Sequence, residues 1–231
     1  MDDITHTVAR ALHEVGEAAL KYGDRPLMQL VSKFFNTLLR ATINRGEVRG
    51  GYDTLYEYEL LAESALQREP TYAIQIAERL AYYGEAAGGR LHWMAAASAH
   101  DLRILAETNH RRQGNPEVTY RFIQILAGMV GHVAPRDPVL GRQLYKSVTT
   151  LGCYFHTVGE EETSDVVRAI LREVPDTELA RLEEELAAVD EPEFWEVTER
   201  WVNFDYMEPE LRHALGPFLS DAKSDSRNRP P

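Results

Sequence analysis

The chain has 231 residues, 44% of them apolar, and a formal net charge of -12. That is enough apolar material for a packed core, which excludes a wholly disordered chain. The acidity is concentrated: residues 159–213 hold 18 Asp and Glu against 5 Lys and Arg, whereas residues 1–158 hold 17 of each. Phosphate binding needs a basic face, so nucleic acid is excluded as the main partner.

Taken in order, the chain reads as helix after helix. Ile4, Val8, Leu12, Val15 and Ala19 recur at helical spacing behind an Asp2-Asp3 start. Asp24 and Pro26 open a second helix to about Asn44, closed by a break at Gly46 to Gly51. Its Leu27, Leu30, Val31, Phe34, Phe35, Leu38 and Leu39 make a face broad enough to predict burial on more than one side. Thr54-x-x-Glu57 has the form of a capping box and predicts a helix start there.

Pro70 begins the next helix, and the stretch from Tyr72 to His110 forms a pair hinged at Gly84 and Gly88-Gly89. The second of the pair lines up Leu91, Met94, Ala95, Ser98, Leu102 and Leu105. The small residues along its middle mark it as the central helix. Asn115-Pro116 and Asp137-Pro138 combine a capping side chain with proline in the first turn, and each opens a helix. The acidic part predicts helices near 161–174, 177–189, 192–203 and 209–219, with Val166, Ile170, Trp195 and Trp201 among their inward residues. Residues 220–231 are polar and end in Pro-Pro, the composition of a disordered tail.

No segment alternates with the period of a strand. The fold class is therefore all-α, a multi-helix bundle or a solenoid-like stack of antiparallel hairpins, as one domain over residues 1–219. Helix starts recur, but no residue motif recurs with them, so no standard repeat family is predicted.

Chemistry-bearing motifs are fragmentary. Glu107-x-x-His110 is half of a di-iron ligand set, and no second half exists. His100-Asp101 has the form of a phosphohydrolase dipeptide, but His92 lies eight residues earlier, about 12 Å along the same helix. A metal-dependent enzyme using His100, Asp101, Glu107 and His110 is thus an alternative with an incomplete ligand set; no metal and no cofactor is expected. Cys153, the single cysteine, sits in an apolar run as a buried thiol and excludes an internal disulfide. Six of eleven tyrosines fall between Tyr52 and Tyr83, with Trp93 close behind. Tyr56, Tyr58, Tyr82, Tyr83, Trp93, His100 and Asp101 are accordingly the candidate ligand or partner surface.

One resemblance goes further. The segment RPLMQLVSKFFNTLLRATINRGEVRGGYDTLYEYELLAESAL, followed by AERLAYYGEAA and AHDLRILAE, resembles the soluble region of bacterial predicted membrane proteins of domain-of-unknown-function family 2254, over about residues 25–107. Members of that family carry transmembrane helices before this region, and no uncharged apolar run in this sequence reaches the ~18 residues that a membrane span needs. The resemblance implies no catalytic residue. It implies a cytoplasmic module at the inner face of a membrane, with a protein partner or a membrane-embedded segment beside it. The functional expectation is a non-catalytic helical scaffold, sensory or protein-interaction module. A small-ligand binder using the Tyr/Trp cluster is the other alternative, and the oligomeric state is left open.

Overall fold

The computed structural model describes residues 2–87 and 91–173. Predicted helices 177–189, 192–203 and 209–219, the tail, and Gly88-Gly89 lie outside the described residues. Eight helices and no strand are present among the described residues: α1 (Asp2–Tyr22), α2 (Arg25–Arg45), α3 (Val48–Ala65), α4 (Pro70–Ala87), α5 (His92–Arg111), α6 (Pro116–Val133), α7 (Pro138–Thr157) and α8 (Glu161–Glu173). The fold is all-α.

Local chemistry sets the starts. Asp24 accepts from the Leu27 amide at 3.0 Å, Asn115 from Glu117 at 2.9 Å and Asp137 from Leu140 at 3.0 Å, each with proline in the first turn. These side chains satisfy amides that the helix cannot pair, and proline has no amide to lose. Gly46 ends α2 at φ 65°, in the left-handed region where a side chain would be strained.

The arrangement is a stack of hairpins. Odd helices begin at Asp2, Val48, His92 and Pro138, even helices at Arg25, Pro70, Pro116 and Glu161, so each hairpin follows the last by 44 to 46 residues. Each helix packs on the next in sequence and on the next but one, which places odd helices in one layer and even helices in the other. Buried positions recur with the same period: Met28, Ala73, Thr119 and Ser164; Val31, Ile76, Phe122 and Val167. The repeat is therefore one of burial, with no constant residue type. For that reason it is not visible as a sequence motif.

Two glycine readings need correction. Gly50 and Gly51 do not break a helix; they lie inside α3, and Thr54 sits mid-helix donating to the Gly50 carbonyl at 2.6 Å. A β-carbon on Gly50 would come within 2.9 Å of Thr5, and one on Gly51 within 2.9 Å of the Trp93 ring. Gly84 is likewise inside α4, where a β-carbon would meet Met129 at 2.5 Å and Ser98 at 2.9 Å. These glycines let neighbouring helices approach closely. The predicted capping box at Thr54 and Glu57 does not form; Glu57 instead pairs with His13.

Helix α5 is central, as the small-residue stripe predicts: Met94, Ala95, Ser98, Leu102 and Leu105 are fully buried, and α5 packs on α3, α4, α6 and α7. At the ends of the stack the inward faces differ from expectation. Ile4, Val8 and Val15 of α1 point outward, and Ala9 and Ala19 take the core side. Leu30 and Phe34 of α2 are exposed, so the second side of that helix is open rather than buried. In α8, Val166 is exposed and its neighbour Val167 is buried.

Candidate functional site

The tyrosine cluster divides into packing and surface. Tyr58 is buried and stacks on Phe35, ring centroids 4.5 Å apart and planes 12° from parallel. Burial, more than any neighbour, pushes its hydroxyl pKa well up. Tyr72 receives a hydrogen bond from Ser32 at 3.0 Å and donates to the Met28 carbonyl at 2.8 Å. Tyr83 donates to the Asn36 carbonyl at 3.1 Å. Tyr72 and Tyr83 therefore bond α4 to α2 by the hydroxyl while the ring fills the core. Tyr56 and Tyr82 are exposed and stand on different helices; Tyr82 meets Tyr83 edge to face at 5.2 Å.

Between α3 and α5 runs a strip of carboxyl groups that the sequence reading only half found. Glu59 is buried, and its Oε1 has no hydrogen-bond partner. Asp101 is half-buried as a residue, but its Oδ2 is shielded from water and also lacks a partner. Loss of water raises the Glu59 carboxyl to about 9, and the charges of Asp101 and Glu63 add to it, with Arg112 opposing. Burial raises Asp101 to about 8 against the pull of Arg103. Glu63 is held by Arg112 at 3.1 Å and accepts from Thr108 at 3.3 Å. Trp93 packs at the start of α3 against Gly51, its Nε1 buried without a partner. In sequence nothing separates Glu59 from the solvated acids around it; only its phase on α3, turned toward α5, does so.

The residues of the metal alternative separate. Glu107 is taken by Arg103 through an ion pair on its own helix. His100, exposed as a residue, pairs through Nδ1 with Arg103 at 3.2 Å; water lost from the inner side of its ring, then the Arg103 charge, push it down to about 4. His110 bonds the Tyr154 hydroxyl at 2.9 Å and reaches Glu160 at 3.4 Å. Among the described residues no three His, Cys, Asp or Glu side chains come together as a metal set. Cys153 is half-buried rather than buried, packed at the edge of the core.

Histidines instead join hairpins. His6 lies 3.5 Å from Asp53, His13 2.7 Å from Glu57, and His132 3.2 Å from Glu85. In each case the histidine of one hairpin meets a carboxylate of its neighbour.

On the first hairpin Ile4, Val8, Val15, Tyr22, Leu30 and Phe34 are each exposed, six of the large apolar side chains that reach the surface among the described residues. No helix among the described residues is long and apolar enough to cross a membrane. No protein-family model, no curated protein and no solved structure matches the chain.

Proposed function

We propose that the protein is a non-catalytic helical-repeat scaffold that binds a protein partner on the outer face of its α1–α2 hairpin. One observation carries this reading: the end of the stack is apolar. Hairpin repeats bury their faces against neighbours, and a terminal repeat that meets only water carries a polar outer face. Here that position holds exposed Val, Leu, Ile, Phe and Tyr side chains instead. Exposed large apolar side chains gathered on one hairpin are a feature of interaction sites. A photo-crosslinking residue at Phe34 tests the reading in native cells, with exposed Gln124 of α6 as the control position. The expected result is a discrete intermolecular product from position 34 and none from 124. No such product from position 34 counts against the reading.

The resemblance over residues 25–107 adds a setting to the same proposal, at the inner face of a membrane. Flotation of native membranes tests it, the protein being expected in the membrane fraction and released by high salt or detergent.

A second reading, a small-ligand site between α3 and α5, has one observation in its favour. Buried polar atoms are rarely left unpaired, and Glu59 Oε1 and Asp101 Oδ2 are. Native mass spectrometry of the purified protein tests it: a co-purifying small molecule lost in Glu59→Gln would support it, and bare protein would not.

A further inference from the structure

Where α3 meets α5, two carboxyl oxygens are out of water and unpaired. Glu59 is 5% exposed, and its Oε1 is shielded with no hydrogen-bond partner. Asp101 Oδ2 is shielded and unpartnered in the same way, and after burial itself Asp101 is what acts most on Glu59. Both carboxyls also act on the Tyr52 hydroxyl, so the three groups share one strip. The strip lies where the second hairpin, α3–α4, meets the third, α5–α6, in the odd layer. In the other layer α4 packs on α5 and α6, which ties the same two hairpins together without the strip.

We infer that this strip is a proton-held latch: Glu59 and Asp101 stand between the hairpins as neutral acids, and loss of their protons parts α3 from α5 while α4 keeps the hairpins joined. The inference goes beyond the protein-docking reading, which concerns the first hairpin. Against the second reading, it takes the occupant of the strip to be a proton rather than a small molecule.

Three arguments carry it. First, the cations at hand are committed elsewhere. Arg103 pairs with Glu107 and His100, and Arg112 holds both the Glu63 carboxylate, at 3.1 Å, and the Glu63 carbonyl, at 2.8 Å. From α1, His6 and His13 face Asp53 and Glu57. From α6, Arg121 and His132 pair with Glu78 and Glu85 of α4. Arg79 of α4 is exposed, and Lys146 of α7 is half-buried and itself short of water. A buried carboxylate without a paired cation is costly, and the group takes up a proton instead. Second, Glu59 and Glu63, one turn apart on α3, lie within hydrogen-bonding reach. Two carboxylates cannot bond to each other, since both only accept. Glu63 is the one held by a cation, so Glu59 carries the proton and donates it. Third, the two acids stand on opposite sides of one helix boundary, so once ionised they repel across it. Burial raises them to about 9 and about 8, which sets where the latch lets go. A parted strip is wet and releases both protons near about pH 4. Closure is therefore most favoured below that, weakens as pH rises, and levels off once the closed form also ionises.

Two measurements on the full chain decide it. Infrared spectra at about pH 7 should show the carbonyl band of a protonated carboxyl, reduced in Glu59→Gln and again in Asp101→Asn. Thiol labelling reads the parting. Thr108 is buried and bonds Glu63 across the strip, and Thr149 is buried in α7 away from it. Thr108→Cys and Thr149→Cys, each with Cys153→Ser, are labelled with a thiol reagent and referred to the unfolded chain at the same pH. Between about pH 6 and 8, protection at position 108 should fall at least about tenfold more than at position 149. Adding Glu59→Gln and Asp101→Asn should abolish that difference. The latch is overturned by the absence of the acid band, by equal loss of protection at the two positions, or by a difference that survives in the neutral variant. Native mass spectrometry separates the two occupants: a co-purifying small molecule lost in Glu59→Gln restores the ligand reading and removes the latch.

Discussion

A β-carbon placed on Gly16 of α1 would lie 2.7 Å from both terminal methyl carbons of Leu61 in α3. Leu61 is fully buried, so its side chain has no room to turn away. Glycine inside a helix usually costs about 0.5–1 kcal/mol relative to alanine. Overpacking a core costs about 1–3 kcal/mol, and here the larger effect wins. Gly16→Ala should therefore destabilise the chain by about 1 kcal/mol in urea melts. Gly128 in α6 is exposed with nothing near its missing β-carbon, and Gly128→Ala should stabilise by about 0.5–1 kcal/mol. Equal signs for the two variants would contradict the contact.

Leu102 is fully buried in α5, which packs on four other helices. Leu102→Ala should cost about 2–5 kcal/mol. A loss below about 1 kcal/mol in denaturant melts would mean that α5 is not the centre of the stack.

The raised carboxyls of Glu59 and Asp101, at about 9 and about 8, make stability depend on pH. The folded chain keeps protons that the unfolded chain releases near pH 4, so stability is greatest below that and falls as pH rises toward 8 to 9. Glu59→Gln removes the need to take up a proton on folding. It should raise the melting temperature at pH 8 relative to the wild type and leave little difference near pH 4. Melting curves across that range check it, and a gain confined to low pH would reverse the assignment.

Asp24 caps α2 through the Leu27 amide at 3.0 Å. Asp24→Ala should cost about 1 kcal/mol. Urea melts followed by helical circular dichroism check it, and an unchanged midpoint would contradict the cap.

Helix identity was legible in the sequence. Asp24, Asn115 and Asp137 act on amides two or three residues away, within reach of any local reading. The small residues of α5 likewise announce a close-packed helix. What faces what was decided elsewhere, by contacts about 45 residues apart. Val31, Ile76, Phe122 and Val167 occupy equivalent buried places with different shapes, because each complements a different neighbour. Gly50, Gly51 and Gly84 look like helix breaks until Thr5, Trp93 and Met129 arrive beside them. Of the candidate surface, Tyr58 and Tyr83 went to the core, and Tyr56 and Tyr82 stayed exposed on separate helices. The apolar stripe of α1 reads as core by period alone, since periodicity marks a face to be covered without saying by what. The stack puts Ala9 and Gly16 against the next hairpin and leaves Val8 and Val15 outside. Only small side chains allow the close approach of α1 to α3, so the bulky stripe is turned to the open end.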